Sequence, residues 1–134
     1  DLILLDSTAA SAFGRGAGET EAVWGAAIDP ETRKPGISGV IGGYSGPPIK
    51  PIALRTVLEV RRALPDIPIV GCGGVRSAAD TVEFLLAGAQ AVALGTAHFA
   101  GPRVGKKIAR DLDRYGRRHG VTRAADLIGG WEPW

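Results

Sequence analysis

Between Ile37 and His98 the sequence repeats one pattern three times: a short β-branched or apolar run, a break at glycine, then a segment with helical spacing. That succession is the grammar of βα units, in which parallel strands are joined by covering helices, and it confines the chain to an α/β architecture.

In the first unit Ile37–Ile41 is the expected strand, Gly42-Gly43-Tyr44-Ser45-Gly46-Pro47-Pro48 the loop, and a helix starts near Pro51. Ile52, Leu54, Val57, Leu58 and Val60 fall at helical spacing, Arg55, Glu59, Arg61 and Arg62 are left for solvent, and Pro65 ends the helix. The second unit has Ile67–Val70 as a strand buried on both faces, ending in Gly71-Cys72-Gly73-Gly74. Ser77 is a good N-cap for a helix over Ala78–Ala87, Asp80 suits the positive end of its dipole, and Gly88 closes it. In the third unit the strand Ala91–Leu94 breaks at Gly95-Thr96, and a helix runs from about Pro102 to Arg118. A short helix over Arg123–Ile128 follows, and the tail from Gly129 to Trp134 has no period.

The flanks are less regular. Leu2–Leu5 reads as a strand, Ala9–Gly18 as loop, and Asp29 to Gly36, with turn residues at both ends, as an exposed loop or hairpin. Length matters here, because 134 residues fit one domain with a real core but are about half of the ~250 that a complete (β/α)₈ barrel takes.

Composition excludes several classes of function. A formal net charge of +2, with acids and bases interspersed, gives no stripe able to track a nucleic-acid backbone. The densest basic stretch, Lys106, Lys107, Arg110, Arg114, Arg117 and Arg118, steps by three and four residues past Asp111 and Asp113, and reads as the solvated face of a terminal helix. Cys72 is the single cysteine, so no internal disulfide forms, and with only His98 and His119 beside it no metal site is expected. No apolar run approaches the ~20 residues of a membrane span, and Asp1 is not followed by a charged leader, so the expected setting is a reducing cytoplasm.

The chemistry lies in the glycines. In a parallel barrel all strand-end loops open on the ligand face, so three glycine-bearing loops would converge there. Glycine lets backbone N–H groups approach an anion closely, and the start of a following helix adds the positive end of a dipole. The implied ligand carries phosphate, gripped between Gly73-Gly74 and Gly95-Thr96, with the Thr96 hydroxyl as a further donor. Other candidates weigh less. Cys72 reads as a packed thiol before a nucleophile, and His98 as structural before ligand-facing; Lys50 either neutralises phosphate or caps its loop; Glu83 faces solvent. Trp24, Trp131 and Trp134 suit packing or an interface better than stacking on a ligand.

The stretch from Gly42 through Gly46-Pro47-Pro48-Ile49-Lys50-Pro51 to Arg55 resembles the signature of class 1 dihydroorotate dehydrogenases. Ile69-Val70-Gly71-Cys72-Gly73-Gly74-Val75 and Leu85 through Gly95-Thr96-Ala97 continue that resemblance in register, over roughly residues 24–134, whereas residues 1–23 form a segment unlike the family. The resemblance implies the C-terminal half of an FMN-binding (β/α)₈ TIM barrel that oxidises dihydroorotate to orotate in pyrimidine biosynthesis. It implies a homodimer and an iron-sulphur flavoprotein that passes electrons on to NAD. Carried over by position, Gly46 contacts FMN, Gly73 and Gly74 donate N–H groups to its phosphate, and Gly95 with Thr96 completes the cradle. Where the family places a substrate-binding Asn-Thr pair, this chain has Glu21-Ala22, and the family's catalytic cysteine base and flavin-contacting lysine belong to earlier strands, so no catalytic residue is assigned here. A non-catalytic FMN- or phosphate-binding βα module and a related pyrimidine-reducing flavin barrel are the alternatives.

Overall fold

The computed structural model describes residues 3–5 and 24–132. Its strands are β1 (Ile3–Leu5), β2 (Trp24–Ala26), β3 (Ile28–Asp29), β4 (Lys34–Pro35), β5 (Ile41–Gly43), β6 (Ile69–Cys72) and β7 (Ala91–Ala93). Its α-helices are α1 (Lys50–Ala63), α2 (Ala78–Leu86), α3 (Ala97–Ala100) and α4 (Val104–His119). The expected loop at Ala9–Gly18 and most of segment 1–23 lie outside the described residues.

The centre is a parallel sheet of order β1-β6-β7, with Ile3 opposite Ile69 and Val70 opposite Ala91. The chain is therefore a mixed α/β structure with parallel strands. Helix α1 packs on the sheet through Ala53, Val57 and Val60, and α2 through Phe84, and together with Ala87 just past the end of α2 they enclose Ile69, Val75 and Ala89 in one core. The two helices present apolar residues at helical spacing to one side, as the sequence predicts, although Thr56 is buried in place of Ile52. Thr56 is accommodated because its hydroxyl donates to the Ile52 carbonyl one turn back at 3.0 Å. Arg61, expected in solvent, instead donates through Nε and Nη2 to the Gly88 carbonyl at 3.1 and 2.7 Å, and through Nη1 to the Pro65 carbonyl, tying α1 to the end of α2.

Three boundaries differ from expectation for identifiable reasons. Ile37–Ile41 is not a strand of the parallel sheet; Ser38-Gly39 turns the chain, with the Val40 amide donating to the Ile37 carbonyl and Val40 at φ 63°. The strand that follows, β5, pairs antiparallel with β2, which puts the first glycine run in a ribbon outside the sheet. The second strand is shifted two residues onward, through Gly71 and Cys72, because Phe84 packs against the bare Gly71 backbone. After β7 the chain forms the additional short α3, and α4 starts two residues beyond Pro102. Asp29 to Gly36 is the expected hairpin, β3 against β4. The last expected helix is a 3-10 turn at Ala124–Leu127.

Candidate functional site

The ends of β6 and β7 and the loop before α1 enclose a cavity of about 330 Å³. Gly46 reaches it from the loop between β5 and α1, Gly73 and Gly74 from the turn after β6, and Gly95 and Thr96 from the turn after β7. All five positions singled out in the sequence thus border one hollow, although only two of the three loops follow strands of the parallel sheet.

Local chemistry explains why the loops lie so close. The Ile49 amide donates to the Gly46 carbonyl at 3.1 Å, closing a turn of 3-10 helix over Pro47–Ile49 that leads into α1. Gly74 sits at φ 73°, and a Cβ there would stand 2.8 Å from the Gly46 carbonyl oxygen and 3.0 Å from the Lys50 amide nitrogen. Both the backbone conformation and the packing therefore require glycine at this position. Gly95 is different: its φ is ordinary and a Cβ would meet nothing within 4 Å. Nothing in the described chain demands glycine there except the room it leaves in the cavity.

Beneath the cavity, Lys50 Nζ donates to Asp80 Oδ1 at 2.6 Å and to Glu83 at 2.9 Å. Asp80 Oδ2 also accepts from the Ser77 hydroxyl at 2.7 Å and the Arg76 amide at 3.1 Å, and Ser77 caps α2 by accepting from the Asp80 amide. Burial opposes ionisation of Asp80, but the hydrogen bonds from Lys50, Ser77 and Arg76 and the Lys50 charge outweigh it and hold the carboxyl below the usual range. Burial likewise pulls Lys50 down, and its bonds to Asp80 and Glu83 overcome this and raise it above an ordinary lysine. Lys50 is thus committed to carboxylates and does not line the cavity; Glu83, expected in solvent alone, is the more exposed of its two partners.

Among the remaining candidates, half-buried Cys72 borders the cavity, whereas His98 is exposed on α3 away from it. Arg76, which sequence reasoning passed over, is the one charged residue in the cavity lining among the described residues. The signal that could have found it is its place between Gly73-Gly74 and the Ser77 cap, where a side chain at the cavity mouth is expected. Arg76 also borders a larger hollow of about 830 Å³ along α4, edged by Arg103, Lys106, Lys107 and Arg110. The six basic residues of the stretch from Lys106 to Arg118 are all exposed, as a solvated face should be. Among the described residues no group of three His, Cys, Asp or Glu side chains could hold a metal, and no helix is long and apolar enough to cross a membrane.

The fold and the hollow define a class: an α/β protein with a cavity bordered by glycine-bearing turns at the ends of adjacent parallel strands. Comparison with known proteins makes this specific. The sequence profile of the dihydroorotate dehydrogenase family matches residues 19–115, and the chain belongs to that family. The dihydroorotate dehydrogenase B (NAD(+)) catalytic subunit of Pelobacter propionicus is 42% identical over 132 residues, covering 98% of this chain and 43% of that protein. The subunit of the same name from Phocaeicola vulgatus is 45% identical over 108 residues, 81% of this chain and 35% of its own. A relative from Solibacter usitatus, provisionally named for the fumarate-linked A form, is 50% identical over 103 residues, 77% of this chain and 34% of its own. A crystal structure of DHODH from Eimeria tenella in complex with ferulenol superposes with a TM-score of 0.65 at 26% identity, covering 79% of this chain and 29% of that one. The chain thus spans roughly 34–43% of the length of these curated relatives.

Proposed function

We propose that this chain is the C-terminal part of an FMN-dependent (β/α)₈ dihydroorotate dehydrogenase of pyrimidine biosynthesis, and that its cavity grips the FMN phosphate. The observation that carries this reading is the meeting of Gly46, Gly73, Gly74, Gly95 and Thr96 around one hollow. A cavity of about 330 Å³ is at the small end for a bound molecule, which suits a phosphate and the start of a polyol tail better than a whole flavin. The room above Gly95 fits that use, because a side chain there would occupy space the ligand needs.

In this reading the backbone N–H groups of Gly73, Gly74 and Gly95 hold the phosphate, the Thr96 hydroxyl donates to it, and Gly46 lets the neighbouring loop lie close to the flavin. Arg76 at the cavity edge contributes positive charge. FMN, when bound, supplies a two-electron acceptor for dihydroorotate oxidation. This chain's residues orient that acceptor; the proton taken from substrate goes to a base in the part of the family's sequence that the chain does not span. Turnover is accordingly proposed for the assembly containing both parts, in the cytoplasm. The names of the Pelobacter and Phocaeicola relatives support an electron-transfer partner delivering to NAD.

Titration of the purified chain with FMN, read by flavin absorbance and fluorescence, tests the cradle. Saturable binding that riboflavin does not match is expected. Equal affinity for both flavins, or no binding with the chain folded, would overturn the assignment.

A further inference from the structure

Outside the cavity lining, one cluster joins elements that are distant in sequence: Lys50 at the start of α1, and Asp80 and Glu83 in α2. Lys50 contributes to the site in two ways. Its backbone lies under Gly74, whose Cβ would stand 2.9 Å from Lys50 Cβ, and its side chain crosses to α2. Asp80 in turn holds the segment that leaves Gly73-Gly74, through the Arg76 amide and the Ser77 hydroxyl. The ion pair therefore ties the loop carrying Gly46 to the turn carrying Gly73 and Gly74, from below.

We propose that Lys50, Asp80 and Glu83 form a positioning clamp that sets the spacing of the Gly46 loop against the Gly73-Gly74 turn, and through that spacing the grip of the cavity on phosphate. The inference rests on the phosphate reading above. Lys50 touches no ligand in this account; its charge is consumed by two carboxylates. With its side chain 23% exposed and that of Asp80 11% exposed, the pair is sheltered enough for its geometry to be defined, unlike a surface pair. Backbone amides gain their selectivity for an anion from fixed spacing, so a loop freed to drift by a fraction of an ångström loses it.

A rival role for Lys50, direct neutralisation of the phosphate, predicts the opposite sign. Asp80→Asn keeps an acceptor for Ser77 and removes the charge that holds Lys50. A clamp predicts FMN binding weakened about tenfold with riboflavin affinity unchanged; a counter-ion released toward the phosphate predicts FMN binding strengthened. Lys50→Met should match Asp80→Asn, and Lys50→Arg, which can still bridge, should restore most of the FMN preference. Unchanged or tighter FMN binding in Asp80→Asn overturns the clamp. If Asp80→Asn does not fold, Glu83→Gln, which removes the more exposed partner, should show a smaller loss of the same sign, and no loss there overturns it too. Failure of the phosphate reading shows separately, as a wild-type chain with no preference for FMN over riboflavin. Even then the amide resonances of Gly46 and Gly74 in the unliganded chain report the clamp: they move together in Glu83→Gln if it sets loop spacing, and stay in place if it does not.

Discussion

Replacing Gly74 by alanine strikes the contact on which the cavity's shape depends. The residue sits at φ 73°, where an L side chain costs about 1–2 kcal/mol. Its Cβ would also stand 2.8 Å from the Gly46 carbonyl oxygen, 2.9 Å from Lys50 Cβ and 3.0 Å from the Lys50 amide nitrogen. Two of these three neighbours are backbone, so the overlap is relieved only by parting the loops, an overpacking cost of about 1–3 kcal/mol. Together the two effects amount to about 2–5 kcal/mol, a large share of the ~5–15 kcal/mol that holds a domain folded. At roughly 3–5 °C per kcal/mol for a chain of this size, the midpoint of thermal unfolding should fall by about 6 °C or more. Differential scanning calorimetry of Gly74→Ala beside wild type reads this directly. A midpoint within about 1 °C of wild type, well below the shift expected for even 1 kcal/mol, would show that the Gly46 loop does not lie against Gly74.

Gly95→Ala should behave in the opposite way, leaving the urea midpoint unchanged because its Cβ meets nothing within 4 Å, while weakening FMN binding about tenfold or more; a loss of stability without a loss of binding contradicts the cavity assignment. Gly71→Ala drives a methyl group into the ring of fully buried Phe84, at a cost of about 3 kcal/mol, and Phe84→Leu in the same chain should recover part of it by chemical denaturation. The clamp also sets a pH dependence. Asp80 is held below the carboxylate range, so its contribution is present above that range and is lost as pH falls through the lowered value. Lys50 is raised, so its contribution is present below the ordinary lysine value and is lost as pH rises through the raised one. The urea-midpoint difference between wild type and Asp80→Asn should therefore be flat between about pH 4 and about pH 10 and shrink on either side; a difference that grows toward acid contradicts the pairing. Ser77→Ala removes the α2 cap and should cost about 1 kcal/mol by the same measurement.

How much of this was legible in the sequence follows from how local each cause is. Helix α2 was readable almost to the residue because its cap, apolar spacing and closing glycine all lie within twelve positions from Ser77 to Gly88. The meeting of Gly73-Gly74 with Gly95-Thr96 at one cavity was readable because each loop carries its own signal and the parallel crossover brings both loops to one face. Ile37–Ile41 misled because its apolar residues satisfy a strand pattern while Ser38-Gly39 between them makes a turn. The exit of β6 was misplaced because what keeps Gly71 in the strand is Phe84, which lies thirteen residues further on and reaches it only through tertiary packing. The clamp was out of reach for the same reason: Lys50 and Asp80 are separated by 30 residues, and neither has a local pattern that names the other.

If backbone amides from separate turns grip one anion, FMN must perturb those turns together. Amide chemical-shift mapping during FMN titration of the isotopically labelled chain tests it most directly. Perturbations concentrated at Gly46, Gly73, Gly74, Gly95 and Thr96, with those at Gly73, Gly74, Gly95 and Thr96 lost when riboflavin replaces FMN, are the predicted result. Shifts gathered instead along Arg103 to Arg110, with those glycines unmoved, would contradict it.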